Sequence, residues 1–195
     1  MALAQRYLEK SAYTEEEYLR WETDAVTKSE FCNGEIRAMS GGMEDHNTIS
    51  ANVIAALVFA LKGRKCRVMT PDMKIWTPPG TFYYPDVTVT CGQREYYRGS
   101  KAVITNPLLL VEVLSPGTEG KDRGEKWLHY QTIETLTDYL LVSQEAPTVE
   151  HFGRIAPGHW NYASVTGTES VLSIASLSVT LALSDIYDQI DFESA

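Results

Sequence analysis

Two acidic residues stand where strands ordinarily place apolar ones. Glu112 lies inside Leu108-Leu109-Leu110-Val111-Glu112-Val113-Leu114, a run apolar enough for a strand covered on both faces. Period-two alternation puts it on the face of Leu110 and Leu114. An ionised carboxylate left alone there is costly, so Glu112 must be protonated, paired, or bound to a cation. A metal site explains it best. Asp86, in Tyr84-Pro85-Asp86-Val87-Thr88-Val89, falls on the face opposite Pro85, Val87 and Val89. Taken alone, it is better explained by a solvated polar strand face than by a ligand role. Further on, Asp122, Lys126 and Tyr130 recur every four residues, which sets them on one side of a helix. A surface Asp–Lys pair is the simplest account of that spacing. A helix folded back over the strand end would instead carry Lys126 to Glu112.

The elements that must position these residues follow from periodicity and turn chemistry. Thr14 with Glu17 is a capping box opening a helix through about Ala25. Ser29–Cys32 and Glu35–Met39 flank Asn33-Gly34, a pair suited to a two-residue hairpin turn. After Gly41-Gly42, Ile49, Val53, Leu57 and Leu61 mark one stripe of a helix from about Glu44 to Lys62. Strands are expected at Cys66–Thr70, Met73–Trp76 and Phe82–Thr90, with a turn at Pro78-Pro79-Gly80. A polar loop, Gly92–Asn106, leads to the strand Leu108–Leu114. A helix over Asp122–Glu134 and a strand over Asp138–Val142 follow. Thr148 to Leu183 reads as hairpin strands with turns at Gly153, Pro157-Gly158 and Gly167, and Leu183–Ile190 as a terminal helix capped by Ser184. This order implies an α/β (α+β) fold, a mixed sheet flanked by helices, in a single domain over residues 1–195.

With 195 residues the chain is long enough for one self-sufficient core. Its 44% hydrophobic and 22% charged content is that of a globular protein rather than a disordered or membrane one. No apolar run approaches the ~18 residues that span a bilayer, and MALAQRYLEK has no signal pattern, so a cytoplasmic protein is expected. The three cysteines, Cys32, Cys66 and Cys91, are odd in number and far apart, which reads as reduced, half-buried thiols. A net charge of −9 argues against broad, nonspecific affinity for nucleic acid. The basic residues are grouped nonetheless: Lys62, Arg64, Lys65 and Arg67; Arg94, Arg98 and Lys101; Lys121, Arg123 and Lys126. Each group is expected to be solvated surface unless the fold combines it with something else.

Taken in order, Gly34-Glu35, His46, Pro85-Asp86, Glu112-Val113-Leu114-Ser115-Pro116 and the Asp122, Lys126, Tyr130 helix resemble the Uma2 (DUF820) branch of the PD-(D/E)XK nuclease superfamily. The resemblance runs from about residue 14 to 162. It implies a restriction-endonuclease-like core and a magnesium-dependent endonuclease acting on DNA, with Mn²⁺ as a substitute cation. Asp86 and Glu112 would be the metal ligands and, with Lys126, the catalytic residues. Glu35, His46 and Tyr130 would support them. One position departs from the superfamily pattern: the lysine expected two residues after the second acid is Leu114, and the resemblance implies that Lys126 takes its role. A homodimer would supply two active sites, although no residue pattern demands one. The alternatives are an inactive nuclease fold that binds DNA or a protein partner, and a related phosphodiesterase acting on RNA.

Overall fold

The computed structural model describes residues 12–192. Helix α1 (Glu15–Thr23) opens on the expected capping box, with Thr14 and Glu17 satisfying each other's backbone N–H groups. Strands β1 (Ser29–Cys32) and β2 (Glu35–Ala38) form the hairpin, and helix α2 (Glu44–Ala60) follows. Next come β3 (Cys66–Met69), β4 (Lys74–Thr77), β5 (Thr81–Tyr83), β6 (Val87–Cys91), β7 (Val103–Ile104) and β8 (Leu109–Val113). A helical segment over residues 119–130, here α3, leads to β9 (Asp138–Val142), β10 (Thr148–Ala156) and β11 (His159–Thr166). The pair β12 (Val171–Ile174) and β13 (Val179–Ala182) precedes helix α4 (Leu183–Ile186).

A central six-stranded sheet has the order β11-β10-β9-β8-β6-β3. It is antiparallel except for the parallel β8–β9 pair. A second sheet, β2-β1-β5-β4-β7, packs against it. Strand β8 shows why the layers form. Leu109, Val111 and Val113 point into one core with Val87, Val89 and the α2 stripe of Ile49, Val53, Leu57 and Leu61. Leu110 and Leu114 point the other way, into a core with Ile75 and Tyr83 of the second sheet and with Tyr130, Tyr139 and Leu141. Apolar faces on both sides make β8 central, and the same alternation leaves Glu112 on the Leu110 and Leu114 side.

Several expected elements differ, each for a local reason. Phe82–Thr90 is not one strand: its first half is β5 in the second sheet and its second half is β6 in the central one. Pro85 lacks an N–H for a ladder, so the chain crosses between sheets there and Asp86 sits at the crossing. The expected Asp122–Glu134 helix is shifted to residues 119–130 and contains one wide π turn, Asp122–Lys126. Arg154 stops it by donating to the carbonyls of Gln131, Ile133 and Leu136. Gly153 is inside β10 rather than at a turn, opposite Asp138 and Asn161. A Cβ there would come within 3.4 Å of the His151 ring. Ser184 does not cap the last helix, which starts at Leu183 and ends at Ile186, so that Ala182 holds the cap position and Ser184 lies inside the first turn. Cys66 and Cys91 are not reduced thiols; the β3–β6 register sets them opposite each other and they form a disulfide, leaving Cys32 free and buried. Among the described residues no helix is long and apolar enough to cross a membrane. The MALAQRYLEK segment lies outside the described residues.

The hairpin turn can be tested directly. Asn33 and Gly34 both have positive φ, 51° and 84°, and a Cβ on Gly34 would meet Ala12 Cβ at 3.0 Å. Gly34→Ala is therefore expected to cost roughly 1–2 kcal/mol, the scale of a left-handed non-glycine residue. Guanidinium denaturation of the two proteins measures it.

Candidate active site

Four elements meet at a cavity of about 320 Å³. The crossing before β6 supplies Asp86, strand β8 supplies Glu112, hairpin strand β1 supplies Glu30, and α3 supplies Asp122 and Lys126. Asp86 is held at both oxygens. Its Oδ2 accepts from the Val113 N–H at 2.7 Å and its Oδ1 from His46 Nε2 at 3.0 Å. Helix α2 thus enters the site through its first turn, where His46 stands. Glu112 Oε1 accepts from Tyr130 Oη at 2.7 Å and lies 3.0 Å from Lys126 Nζ. Both of these contacts fall on Oε1. The same ammonium lies 2.9 Å from Asp122 Oδ1 and 3.4 Å from Glu30 Oε1.

This cluster is nearly dry: Glu112, Asp122 and Lys126 are 3%, 2% and 7% exposed. Burial pushes the Glu112 carboxyl well above the ordinary carboxylate value. Lys126 pulls it down, while Asp122 and Asp86 push the same way as burial. Burial alone would strip the proton from Lys126, but Glu112, Glu30 and Asp122 outweigh it and hold the ammonium charged. The bond to Asp86 raises His46 against its own burial. Three carboxylates lie within 3.4 Å of one ammonium and Asp86 lines the same cavity, which leaves an excess of negative charge. No three His, Cys, Asp or Glu side chains among the described residues converge as ligands on one point. What the cavity offers is therefore one or two oxygens for a divalent ion, with open space for water or a substrate oxygen.

The chain matches, over residues 15–184, a family whose members are described as "Putative restriction endonuclease". The chain belongs to the Uma2 family. Two relatives of the same length class are uncharacterized proteins of Synechocystis sp. One, sll1609, is 31% identical over 85% of this chain and 94% of its own. The other, slr1290, is 36% identical over 91% and 92%. Among solved structures, a protein of Anabaena variabilis described as "a putative nuclease belonging to DUF820" superimposes with a TM-score of 0.73 at 16% identity. That match spans 89% of this chain and 97% of the other, so the two share a fold.

Within this Uma2 domain, five of the six residues singled out from the sequence, Asp86, Glu112, Lys126, His46 and Tyr130, stand together. Glu35 does not: its side chain is 62% exposed and bonds Arg37 from the solvent side. The early carboxylate that does reach the cavity is Glu30, which was not singled out. Alternation along the hairpin was its only signal, and all four residues of β1 are buried. Arg37 also lines the cavity, fixed 2.5 Å from Glu125 Oε1. The Asp122–Lys126 pair is interior rather than a surface ion pair.

A stability test follows from Glu112. Its folded pKa is raised, so its favourable contribution is complete below the unfolded value near 4.5 and is lost as pH rises through the folded value. Glu112→Gln removes that loss while two carboxylates, Glu30 and Asp122, still face Lys126. Relative to wild type, the variant is expected to gain melting temperature between pH 4 and pH 8, by roughly 2–4 °C for each kcal/mol of that loss in a domain of this size. Calorimetric melting at both pH values reads the difference.

Proposed function

We propose that this Uma2 protein is a metal-dependent endonuclease that hydrolyses phosphodiester bonds in DNA. The observation that carries the reading is the meeting of Asp86, Glu112 and Lys126 in one cavity, supported by the family to which the chain belongs. Magnesium suits the donors present. They are hard oxygens, both contacts of Glu112 fall on Oε1, and there are few enough ligands for water and a phosphate to complete a shell. Asp86 and Glu112 would hold it, and Mn²⁺ would serve as a substitute. When bound, the ion supplies Lewis-acid polarisation of the phosphate and a lower pKa for the attacking water.

The protein's own groups do the rest. His46 Nε2 and the Val113 N–H fix the Asp86 carboxylate so that neither oxygen has to reorganise. Tyr130 does the same for Glu112 Oε1. Lys126 is held charged in a water-poor pocket, where a fixed positive charge facing the phosphate stabilises negative charge developing on it. Glu30 and Asp122 keep that ammonium in place. Leu114, at the superfamily's usual lysine position, is buried among apolar residues. The cation therefore arrives from the helix instead of the strand.

Cleavage of plasmid and single-stranded DNA with Mg²⁺ or Mn²⁺, beside an Asp86→Ala control, tests the proposal. Lys126→Met is expected to cut activity by roughly two to three powers of ten, the scale for losing one preorganised charge. It should also lower the melting temperature, because the buried carboxylates lose their counter-ion, so rates are compared well below both melting points. Cleavage by Lys126→Met at the wild-type rate removes the lysine from the chemistry. No cleavage of either DNA by wild type leaves a nuclease fold without this activity. In calorimetric titration, Mn²⁺ should bind wild type more tightly as pH rises, since Glu112 must lose its raised proton to ligate, and Glu112→Gln should abolish the heat.

A further inference from the structure

A second cavity, of about 570 Å³, wraps the free edge of the central sheet at β3. Its lining includes Lys62, Arg64, Arg67 and Arg94, with Tyr96 and Met69, and no acidic side chain. These cations come from two groups that the sequence keeps apart. Lys62, Arg64 and Arg67 follow helix α2, and Arg94 follows β6. The β3–β6 ladder brings them together, with Cys66 joined to Cys91 at the end where the two groups meet. Four of the chain's 17 lysines and arginines thus face one groove in a protein of net charge −9.

The charges in this groove are largely unspent. Arg64 is anchored to the backbone, donating to the Leu177 carbonyl and, at 3.1 Å, to that of Ser178. Lys62, Arg67 and Arg94 form no ion pair among the described residues. Arg94 only donates from Nε to Tyr96 Oη at 3.1 Å, which steadies it beside the ring. Cations held near one another without counter-ions repel, and an extended polyanion relieves that repulsion. Position narrows the partner further. Arg67 stands opposite Thr90, four residues along from Asp86. At the rise of a strand that is about 13 Å, or about four base steps at roughly 3.4 Å each along a nucleic-acid strand.

We infer that this edge groove is an auxiliary nucleic-acid site that grips the phosphodiester backbone beside the bond in the Asp86 cavity. Arg67, Arg94 and Lys62 contact phosphates, and Tyr96 offers a ring face to a base or sugar. The inference extends the nuclease reading but is tested without catalysis. The experiment is anisotropy titration of a labelled 20-base-pair duplex and a 20-nucleotide single strand, in EDTA, over a range of salt concentrations. Wild type should bind at least one of them, and the Arg67→Gln/Arg94→Gln double variant should weaken binding at least about tenfold at low salt. The slope of log affinity against log salt should fall by about two, one for each lost phosphate contact. Arg67→Lys/Arg94→Lys should restore the slope, and melting curves show that all variants are folded. Unchanged slope and affinity in the double Gln variant overturn the inference, as does absence of binding to either DNA by wild type. Competition by polyglutamate as strong as by DNA overturns it in favour of an acidic protein partner. Groove-dependent binding without Mg²⁺ or Mn²⁺ cleavage supports the groove and counts against the nuclease reading; cleavage with groove-independent binding does the reverse.

Discussion

An ammonium group in the interior of a protein needs negative charge within a few ångströms or it gives up its proton. Lys126 finds that charge in Glu112, Asp122 and Glu30, and the three acids lie on three different elements. Strand β8, helix α3 and the N-terminal hairpin are thereby tied to one point. Other contacts in the region bear on the same point. Tyr130 donates to Glu112, and Tyr139 donates to the Asp122 carbonyl at 3.0 Å. Trp127 stacks on Tyr139 with ring planes 4° apart. The apolar and aromatic core on this side of the sheet acts as the wall that keeps the charges dry, and dryness gives each of them its strength.

Stability and function pull in opposite directions here. A protein built only to fold would replace the cluster with hydrocarbon of similar volume. Retaining a carboxylate that burial drives toward its neutral form makes sense where something arrives to take the place of the proton. The first turn of α2 shows the same preference, since His46 is spent on Asp86 while its Nδ1 stays buried without a partner among the described residues.

Much of this was legible in the residues alone. The α2 stripe, the Asn33-Gly34 turn and the placement of Glu112 with Leu110 and Leu114 all follow from periodicities that local sequence carries. What escaped needed long-range register. Alternation continues across Tyr84-Pro85-Asp86 although the strand does not, so the jump between sheets left no local trace. Glu30 lies in a strand buried on both sides, where an acid and an apolar residue occupy equivalent slots. The Cys66–Cys91 bond and the convergence of the two basic groups both depend on pairing β3 with β6 across 25 residues.

The wide turn at Asp122–Lys126 has an evolutionary corollary. A π turn holds an extra residue, so everything after it is rotated by about 100° from the direction an unbroken α-helix would impose. Upstream, the helix is clamped to the outside by the Arg123 bridges to Glu119 and Glu150; downstream, Tyr130 aims inward. Loss of a single codon in this stretch would let the helix close to regular geometry and leave the direction of Tyr130 unchanged, whereas regular geometry reached without losing a residue would turn Tyr130 away from the cavity. The wide turn is thus the form in which this helix carries one more residue while the groups on either side of it keep their places.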